Sequence, residues 1–252
     1  MTASAENFLN QRSTSWSIMT LILLLWAVTN LPWQLDDYDQ AKQAFTSFEM
    51  IKEGHWLYQR TPNEKVATKP PLVGWISAAL FEGTKSWEIA WRLPSFLAAL
   101  GILALLYHAT TKAYGGVAGL IAVSAFGLNL LALRLATLVR TDMPLALITF
   151  LLGWQIWEKI RSNQPWRRRD RVLTFAMLTA AMLIKGPIVY AFLLPGIAVY
   201  QWRRRKIPAA GSAWCGWWPW LVSLAIFLLW VIGGILLAPN FFHEVVIREF
   251  AG

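Results

Sequence analysis

Long apolar runs dominate this sequence and constrain it most, because a helix that spans a bilayer needs about 20 mainly apolar residues. The five clearest runs are residues 15–33, 87–110, 117–138, 143–157 and 214–238. Only 15% of all residues are charged, and the mean hydropathy is +0.43. In lipid a spanning segment must satisfy its own backbone hydrogen bonds, which runs of this length do as helices. These features predict an all-α polytopic membrane protein and exclude an ordinary soluble domain.

A sixth apolar stretch, residues 172–202, is too long for one span and has Lys185-Gly186-Pro187 at its middle. Ten of the 23 basic residues flank it: Lys159, Arg161, Arg167, Arg168, Arg169 and Arg171 before it, and Arg203, Arg204, Arg205 and Lys206 after it. Lysine and arginine concentrate on the cytoplasmic side of membrane proteins, so both strips are expected there. The stretch therefore predicts two short helices that meet outside the cytoplasm at Lys185-Gly186-Pro187. The expected total is about seven transmembrane helices.

The orientation follows from the first run, which has no small-residue cleavage site after it and is interpreted as an uncleaved anchor with a cytoplasmic N-terminus. Four features are then expected outside: the loop 34–86, the corner 140–142, the hairpin tip at Lys185 and the tail from Pro239. We interpret residues 1–252 as one transmembrane domain with this outer loop. Because the net charge of +9 comes from strips between apolar runs, topology explains it, and no nucleic-acid partner is expected.

The outer loop, residues 34–86, predicts two amphipathic helices that lie at the membrane surface. The first has apolar residues at helical spacing between residues 41 and 51, with Asp39 as its expected N-cap and Gly54 as its expected stop. The second is expected to begin at Pro70-Pro71 and to end at Gly83.

Three aspartates lie at the outer ends of spans: Asp36 and Asp37 after the first, and Asp142 before a later one. Their spacing leaves two interpretations open. In the first, Asp36 and Asp37 form a solvated acidic entry to a helix and Asp142 is an N-cap. In the second, these carboxylates are held at the membrane surface as a general base or as metal ligands.

Four cations lie in or beside apolar segments: Lys69, Arg92, Arg140 and Lys185. Lys185, at the tip of an apolar hairpin, should face an anion, either a carboxylate of Asp36 or Asp142 or a lipid phosphate. A carboxylate pair surrounded by such cations is what transfer from a phosphate-linked lipid requires.

Six short motifs occur in a fixed order along the chain. They are Trp33-Gln34-Leu35-Asp36-Asp37, Gly54-His55-Trp56, Lys69-Pro70-Pro71-Leu72, Arg92-Leu93-Pro94-Ser95, Arg140-Thr141-Asp142-Met143-Pro144-Leu145 and Lys185-Gly186-Pro187. Together they resemble the GT-C membrane glycosyltransferases that use polyprenyl-phosphate sugars, specifically the bacterial relatives of protein mannosyltransferases and of lipid A aminoarabinose transferases. Each motif is weak alone, whereas the ordered set with matching topology is specific and covers essentially the whole chain.

The resemblance implies a role for each candidate residue. The catalytic carboxylate of the family corresponds to Asp36, with Asp37 beside it, and the family's second outer aspartate corresponds to Asp142. Residues implied to bind the donor phosphate are Lys69 and Lys185, with Arg92 or Arg140 assisting. A further family glutamate that organises the site corresponds to Glu249.

Two departures from the family pattern qualify the resemblance. Family members are considerably longer, so the chain is expected to be an N-terminal portion. The aminoarabinose transferases have zinc ligands where this chain has Thr68 and Phe250, so no such zinc site is expected here. The histidines lack metal-ligand spacing; a divalent cation is compatible with the site, but the sequence requires no cofactor and assigns no metal ligand.

The resemblance implies an inverting transfer of a sugar from a polyprenyl-phosphate donor to a lipid, glycan or protein acceptor. The expected location is the periplasmic face of a bacterial inner membrane, among membrane lipids. The competing class is a non-enzymatic transporter, flippase or scaffold for lipid-linked precursors. A transporter places ionisable groups near the bilayer midplane and has repeated halves, whereas here most of them lie at outer span ends and no repeat appears.

Overall fold

The computed structural model describes residues 12–31, 34–35, 37–205 and 211–247. Its secondary structure is helical. The helices are α1 (Arg12–Thr29), α2 (Tyr38–Lys52), α3 (Leu72–Thr84), α4 (Trp87–Tyr114), α5 (Gly116–Gly127), α6 (Leu130–Leu135), α7 (Asp142–Ser162), α8 (Arg168–Lys185), α9 (Ile188–Arg204), α10 (Trp218–Leu237) and a π-helical segment, Phe242–Ile247. Within these ranges no strand forms, and the one β-bridge pairs Arg60 with Val66. The predicted all-α class is confirmed.

The chain divides into two compact units. The first comprises Met1–Ala41 and Leu80–Met143, and the second comprises Lys42–Ala79 and Pro144–Gly252. Helices α1, α4, α5 and α6 belong to the first unit, and α8, α9 and α10 to the second.

The first unit is organised around Trp26 of α1, which is fully buried. Its indole N–H donates to the carbonyl of Gly127 at 2.9 Å, so the polar atom of this large side chain is satisfied inside the core. Its ring packs edge-to-face against Phe96 at 6.4 Å and Phe126 at 6.3 Å between centroids. These contacts hold α1, α4 and α5 together.

The core of the second unit forms between α8 and α10 and includes the buried side chains of Leu178, Met182, Phe227 and Trp230. One end of this unit is tied by an ion pair: Lys159 Nζ lies 2.6 Å from Asp170 Oδ2, which connects the last turn of α7 to the first turn of α8.

The two helices predicted in residues 172–202, with a break at Lys185-Gly186-Pro187, are confirmed, whereas the location of that break outside the cytoplasm stays a prediction. Helix α8 ends at Lys185, and α9 begins at Ile188. Gly186 between them has φ +74°, which glycine adopts without a side-chain penalty, and Pro187 is the N-cap residue of the next helix. The sequence break therefore acts as expected.

The apolar run 117–138 is predicted as a single span, and this prediction is wrong, because the run forms two helices. Helix α5 ends at Gly127, and the side chain of Asn129 caps α6 by accepting from the backbone N–H of Leu131 at 2.9 Å. An asparagine that satisfies the free N–H groups of a new helix competes with continuation of the old one.

Both outer-loop helices form, as α2 and α3, and Gly54 with φ +73° follows the end of α2 as predicted. The prediction that Asp39 is the N-cap of α2 is wrong. Asp37 takes that place, because its Oδ1 accepts the backbone N–H of Gln40 at 2.8 Å and the helix starts one residue later, at Tyr38.

Length and hydropathy mark two helices of the described residues, α4 and α10, as able to cross a membrane. Shorter apolar helices cover residues 13–29, 72–84 and 116–127. The count of about seven spans stays a prediction.

Candidate active site

The acidic candidate residues that the structure describes belong to the first unit and centre on Asp37. One carboxylate oxygen caps α2, and the other accepts from the Arg140 guanidinium at 2.9 Å. Burial by itself raises the pKa of Asp37, but the Gln40 backbone N–H and Arg140 outweigh it and hold that pKa below its ordinary value. Asp37 is therefore a charged, structurally engaged carboxylate.

Arg140 collects further negative charge around its guanidinium. Asp39 Oδ2 lies 3.7 Å from it, and Asp142 contributes a favourable electrostatic interaction. The hydrogen bond that Arg140 donates to Asp37, supported by these charges, raises the pKa of Arg140 and outweighs the effect of burial. The structure thus brings the predicted residues Asp37, Arg140 and Asp142 together.

Two buried polar residues hold the corner that carries Arg140. The Ser95 hydroxyl lies 2.7 Å from the Leu138 carbonyl and 3.1 Å from that of Arg140, and Gln40 Oε1 accepts the Val139 N–H at 3.3 Å. No sequence pattern predicts these roles of Ser95 and Gln40. The signal for Ser95 was its place in the Arg-Leu-Pro-Ser motif, whereas nothing in the spacing of Gln40 points to its burial.

Arg92 is buried in α4, with only 5% of its surface exposed. Its guanidinium donates to the carbonyl of Glu88 at 3.0 Å and to that of Gln34 at 3.4 Å. These bonds connect the first turn of α4 to the segment just after α1 and lower the cost of burying the charge. The donor-phosphate role expected for Arg92 stays a prediction.

The two predicted lysines belong to the second unit. Lys69 and Lys185, which lie far apart in the sequence, both line one small cavity of about 40 Å³. Its apolar walls are Phe227, Trp230, Val231, Val245 and Val246. Cations beside apolar walls attract an anion more strongly than cations in open water, because the local dielectric constant is lower.

A third lysine lies close to this cavity. Lys42 Nζ, from α2, donates to Thr68 Oγ1 at 2.9 Å, and Thr68 is itself a buried lining residue of the cavity. The sequence gives no signal for this contact of Lys42, because its position in α2 is that of any polar residue on an amphipathic helix.

Asp36 and Glu249 lie outside the described residues, and so does Phe250. Among the described residues no group of three or more histidine, cysteine, aspartate or glutamate side chains is placed to hold a metal ion.

The family of dolichyl-phosphate-mannose-protein mannosyltransferases matches residues 68–235. This range includes Lys69, Arg92, Arg140, Asp142 and Lys185. No curated protein matches the chain.

Two solved structures are similar to this one. The crystal structure of ArnT from Cupriavidus metallidurans bound to undecaprenyl phosphate has a TM-score of 0.69 and 24% identity, over 94% of this chain and 44% of that one. The structure of the same protein in the apo state has a TM-score of 0.61 and 25% identity, over 95% of this chain and 43% of that one. The chain thus spans less than half the length of ArnT.

Proposed function

Because the chain belongs to the dolichyl-phosphate-mannose-protein mannosyltransferase family, we propose that it acts in glycosyl transfer from a polyprenyl-phosphate-linked sugar. Family and fold make it an integral membrane protein. The donor, the acceptor, the stereochemistry and the membrane face belong to the proposal.

The observation that carries this proposal is the shared cavity of Lys69 and Lys185. Two ammonium groups beside apolar walls suit a phosphate attached to a hydrocarbon chain, because the charges bind the phosphate and the walls contact the chain. The similar ArnT structure holds undecaprenyl phosphate, a ligand of that chemical class.

In the proposed reaction Asp36 accepts the proton of an acceptor hydroxyl. The hydroxyl oxygen attacks the anomeric carbon, the bond from that carbon to the phosphate oxygen breaks, and the configuration inverts. The negative charge that develops on the leaving phosphate is stabilised by Lys69 and Lys185, with Arg92 or Arg140 assisting. We assign the base to Asp36 rather than Asp37, because the carboxylate of Asp37 already binds Arg140 and caps α2.

The donor role is tested by measuring the affinity of the purified protein, in phosphatidylcholine nanodiscs, for undecaprenyl phosphate. We expect Lys69→Met and Lys185→Met each to weaken binding. Lys85→Met is the matched control, since Lys85 is exposed and pairs only locally with Glu82 at 2.5 Å. Equal affinities in all three variants and the wild type would overturn the donor site.

The membrane face is tested by cysteine labelling in intact cells. The proposal places the reaction on the periplasmic side of a bacterial inner membrane, so a cysteine at Asn63 should react with an impermeant reagent and one at Asn163 should not. The reverse pattern would contradict the proposed orientation.

A further inference from the structure

The second unit has a larger cavity, of about 550 Å³, that the proposed donor site does not use. It lies between the loop that follows α2 and the segment that follows α10. Its polar lining comes from His55, Arg60, Glu64, Asn240 and Glu244, and Trp56 supplies an aromatic face. This volume is within the range of small-molecule sites in proteins.

Two carboxylates fix the loop that forms one wall. The Glu49 carboxylate accepts the backbone N–H of Arg60, and the Glu244 carboxylate accepts that of Val66. Because these N–H groups belong to the two residues of the β-bridge, both sides of the loop are held. Such a wall loses little conformational freedom when a ligand binds.

Aromatic packing against α10 also fixes this loop. Tyr58 stacks on Trp230 with 6.2 Å between ring centroids and donates its hydroxyl to the Trp230 carbonyl at 3.0 Å. The Trp230 indole N–H donates back to the Leu57 carbonyl at 3.1 Å. The loop is therefore anchored on α10 by reciprocal hydrogen bonds.

The chemistry of this lining differs from that of the lysine cavity. The lining includes one arginine, Arg60, and two glutamates, Glu64 and Glu244, so it carries no excess positive charge for a phosphate. It offers both hydrogen-bond donors and acceptors, and the ring of Trp56 is accessible, with 49% of that residue exposed. Mixed donors and acceptors beside an aromatic face suit an uncharged, polyhydroxylated ligand.

The two cavities share a wall. Val66 and Glu244 line the large cavity, while their near neighbours Thr68, Val245 and Val246 line the lysine cavity. The hydrogen bond from Val66 N–H to the Glu244 carboxylate joins the two segments of this wall. A ligand in the large cavity therefore lies across this wall from the lysine cavity.

From this arrangement we propose that the large cavity binds the acceptor, and that the acceptor is an uncharged glycan which presents a sugar hydroxyl. The role of the glycan as the acceptor rests on the proposed function. The binding of a neutral glycan in the large cavity does not depend on it.

The test uses the protein in phosphatidylcholine nanodiscs, because glycoside detergents would compete for the site. The probes are maltose, cellobiose and mannobiose, and their affinities are measured by saturation-transfer NMR. Trp56→Ala should weaken binding of the preferred disaccharide about 3- to 10-fold, the scale of one aromatic contact, and Asn240→Ala should also weaken it. Trp157→Ala is the matched control, since this exposed tryptophan of α7 lies outside the large cavity.

The outcomes separate this inference from the proposed function. If no probe binds, or if Trp56→Ala and Asn240→Ala bind as the wild type does, the glycan site is overturned even when Lys69→Met still weakens undecaprenyl phosphate binding. If the disaccharide binds as expected but undecaprenyl phosphate does not bind, the glycan site holds and the donor proposal fails. The affinity of Trp56→Ala for undecaprenyl phosphate should stay within about twofold of the wild type, because Trp56 does not line the lysine cavity.

Discussion

The charged groups of the two units differ in what surrounds them. In the first unit Arg140 is about one-third exposed and is balanced by Asp37 and Asp39, so the charges largely satisfy one another. In the second unit Lys69 and Lys185 line a cavity whose other walls are mostly apolar. A partly solvated ion-pair cluster suits the holding of a loop, whereas a cavity lined by two lysines and apolar side chains suits the binding of a phosphate on a hydrocarbon chain.

The same contrast applies to the two aspartates that sequence analysis treated as a pair. Asp37 is bound to Arg140 and to the start of α2, which gives it a structural role. Asp36, its neighbour in sequence, is the residue that we assign to proton transfer. Four predictions test these roles: two test proton transfer by Asp36 and donor binding by Lys185, and two test the stability that Arg140 and Asp37 supply.

The largest effect is expected at Asp36. In the full-length protein, Asp36→Asn should lower the turnover number about 10²- to 10⁴-fold, the usual loss when a general base is removed. Affinity for undecaprenyl phosphate should be unchanged, because the lysines remain. Turnover and binding are measured separately on the purified protein. Near-normal turnover in a correctly inserted Asp36→Asn variant would contradict the assignment.

A smaller effect is expected at Lys185, on the affinity for the donor rather than on proton transfer. Lys185→Met should weaken undecaprenyl phosphate binding about 10- to 100-fold, which corresponds to the loss of one charge-assisted hydrogen bond of ~1.5–3 kcal/mol. Lys185→Arg should retain part of the affinity, because the charge is kept. Equal affinity in Lys185→Met and the wild type would show that the basic region does not bind the donor.

The acidic region should respond to Arg140→Gln mainly in stability. Both partners of the Arg140–Asp37 pair are about one-third exposed, at 33% and 35%, so we expect a loss of about 0.2–1 kcal/mol. Thermal unfolding measures it. Lys85→Gln, which breaks the more exposed pair with Glu82, should have a smaller effect. A loss of donor affinity in Arg140→Gln, with stability unchanged, would instead make Arg140 a phosphate ligand.

The smallest effect is a pH dependence at Asp37. The pKa of this group is lowered in the folded protein, so its charge stabilises the fold above the unfolded pKa of about 3.9, and this contribution is lost as the pH falls through the folded pKa. Asp37→Asn keeps the cap but cannot titrate. Its deficit in melting temperature should be constant from about pH 7 to 5 and should shrink below about pH 4. A deficit that persists in acid would mean that the charge of Asp37 is not what stabilises the fold.

Local sequence patterns predicted the elements that depend on neighbouring residues. The break at Gly186 and Pro187 and the stop at Gly54 follow from backbone preferences of those residues, and both are confirmed. The run 117–138 was predicted wrongly, because its apolar composition concealed the capping ability of Asn129. Asp39 is predicted as the cap and the structure has Asp37 instead, because the hydrophobic period does not fix the first residue of a helix.

The sequence by itself therefore determined the helical class, the hairpin and the set of charged residues that need a partner, since hydropathy and backbone preferences are local properties. Only the tertiary structure decided which of those charges meet. It joined Asp37 to Arg140, placed Lys69 and Lys185 in one cavity, and put Lys42 beside Thr68. The physical reason is that contacts between distant segments depend on how α2, the loop after it, and α8 to α10 pack, and side-chain packing has no local signature in the sequence.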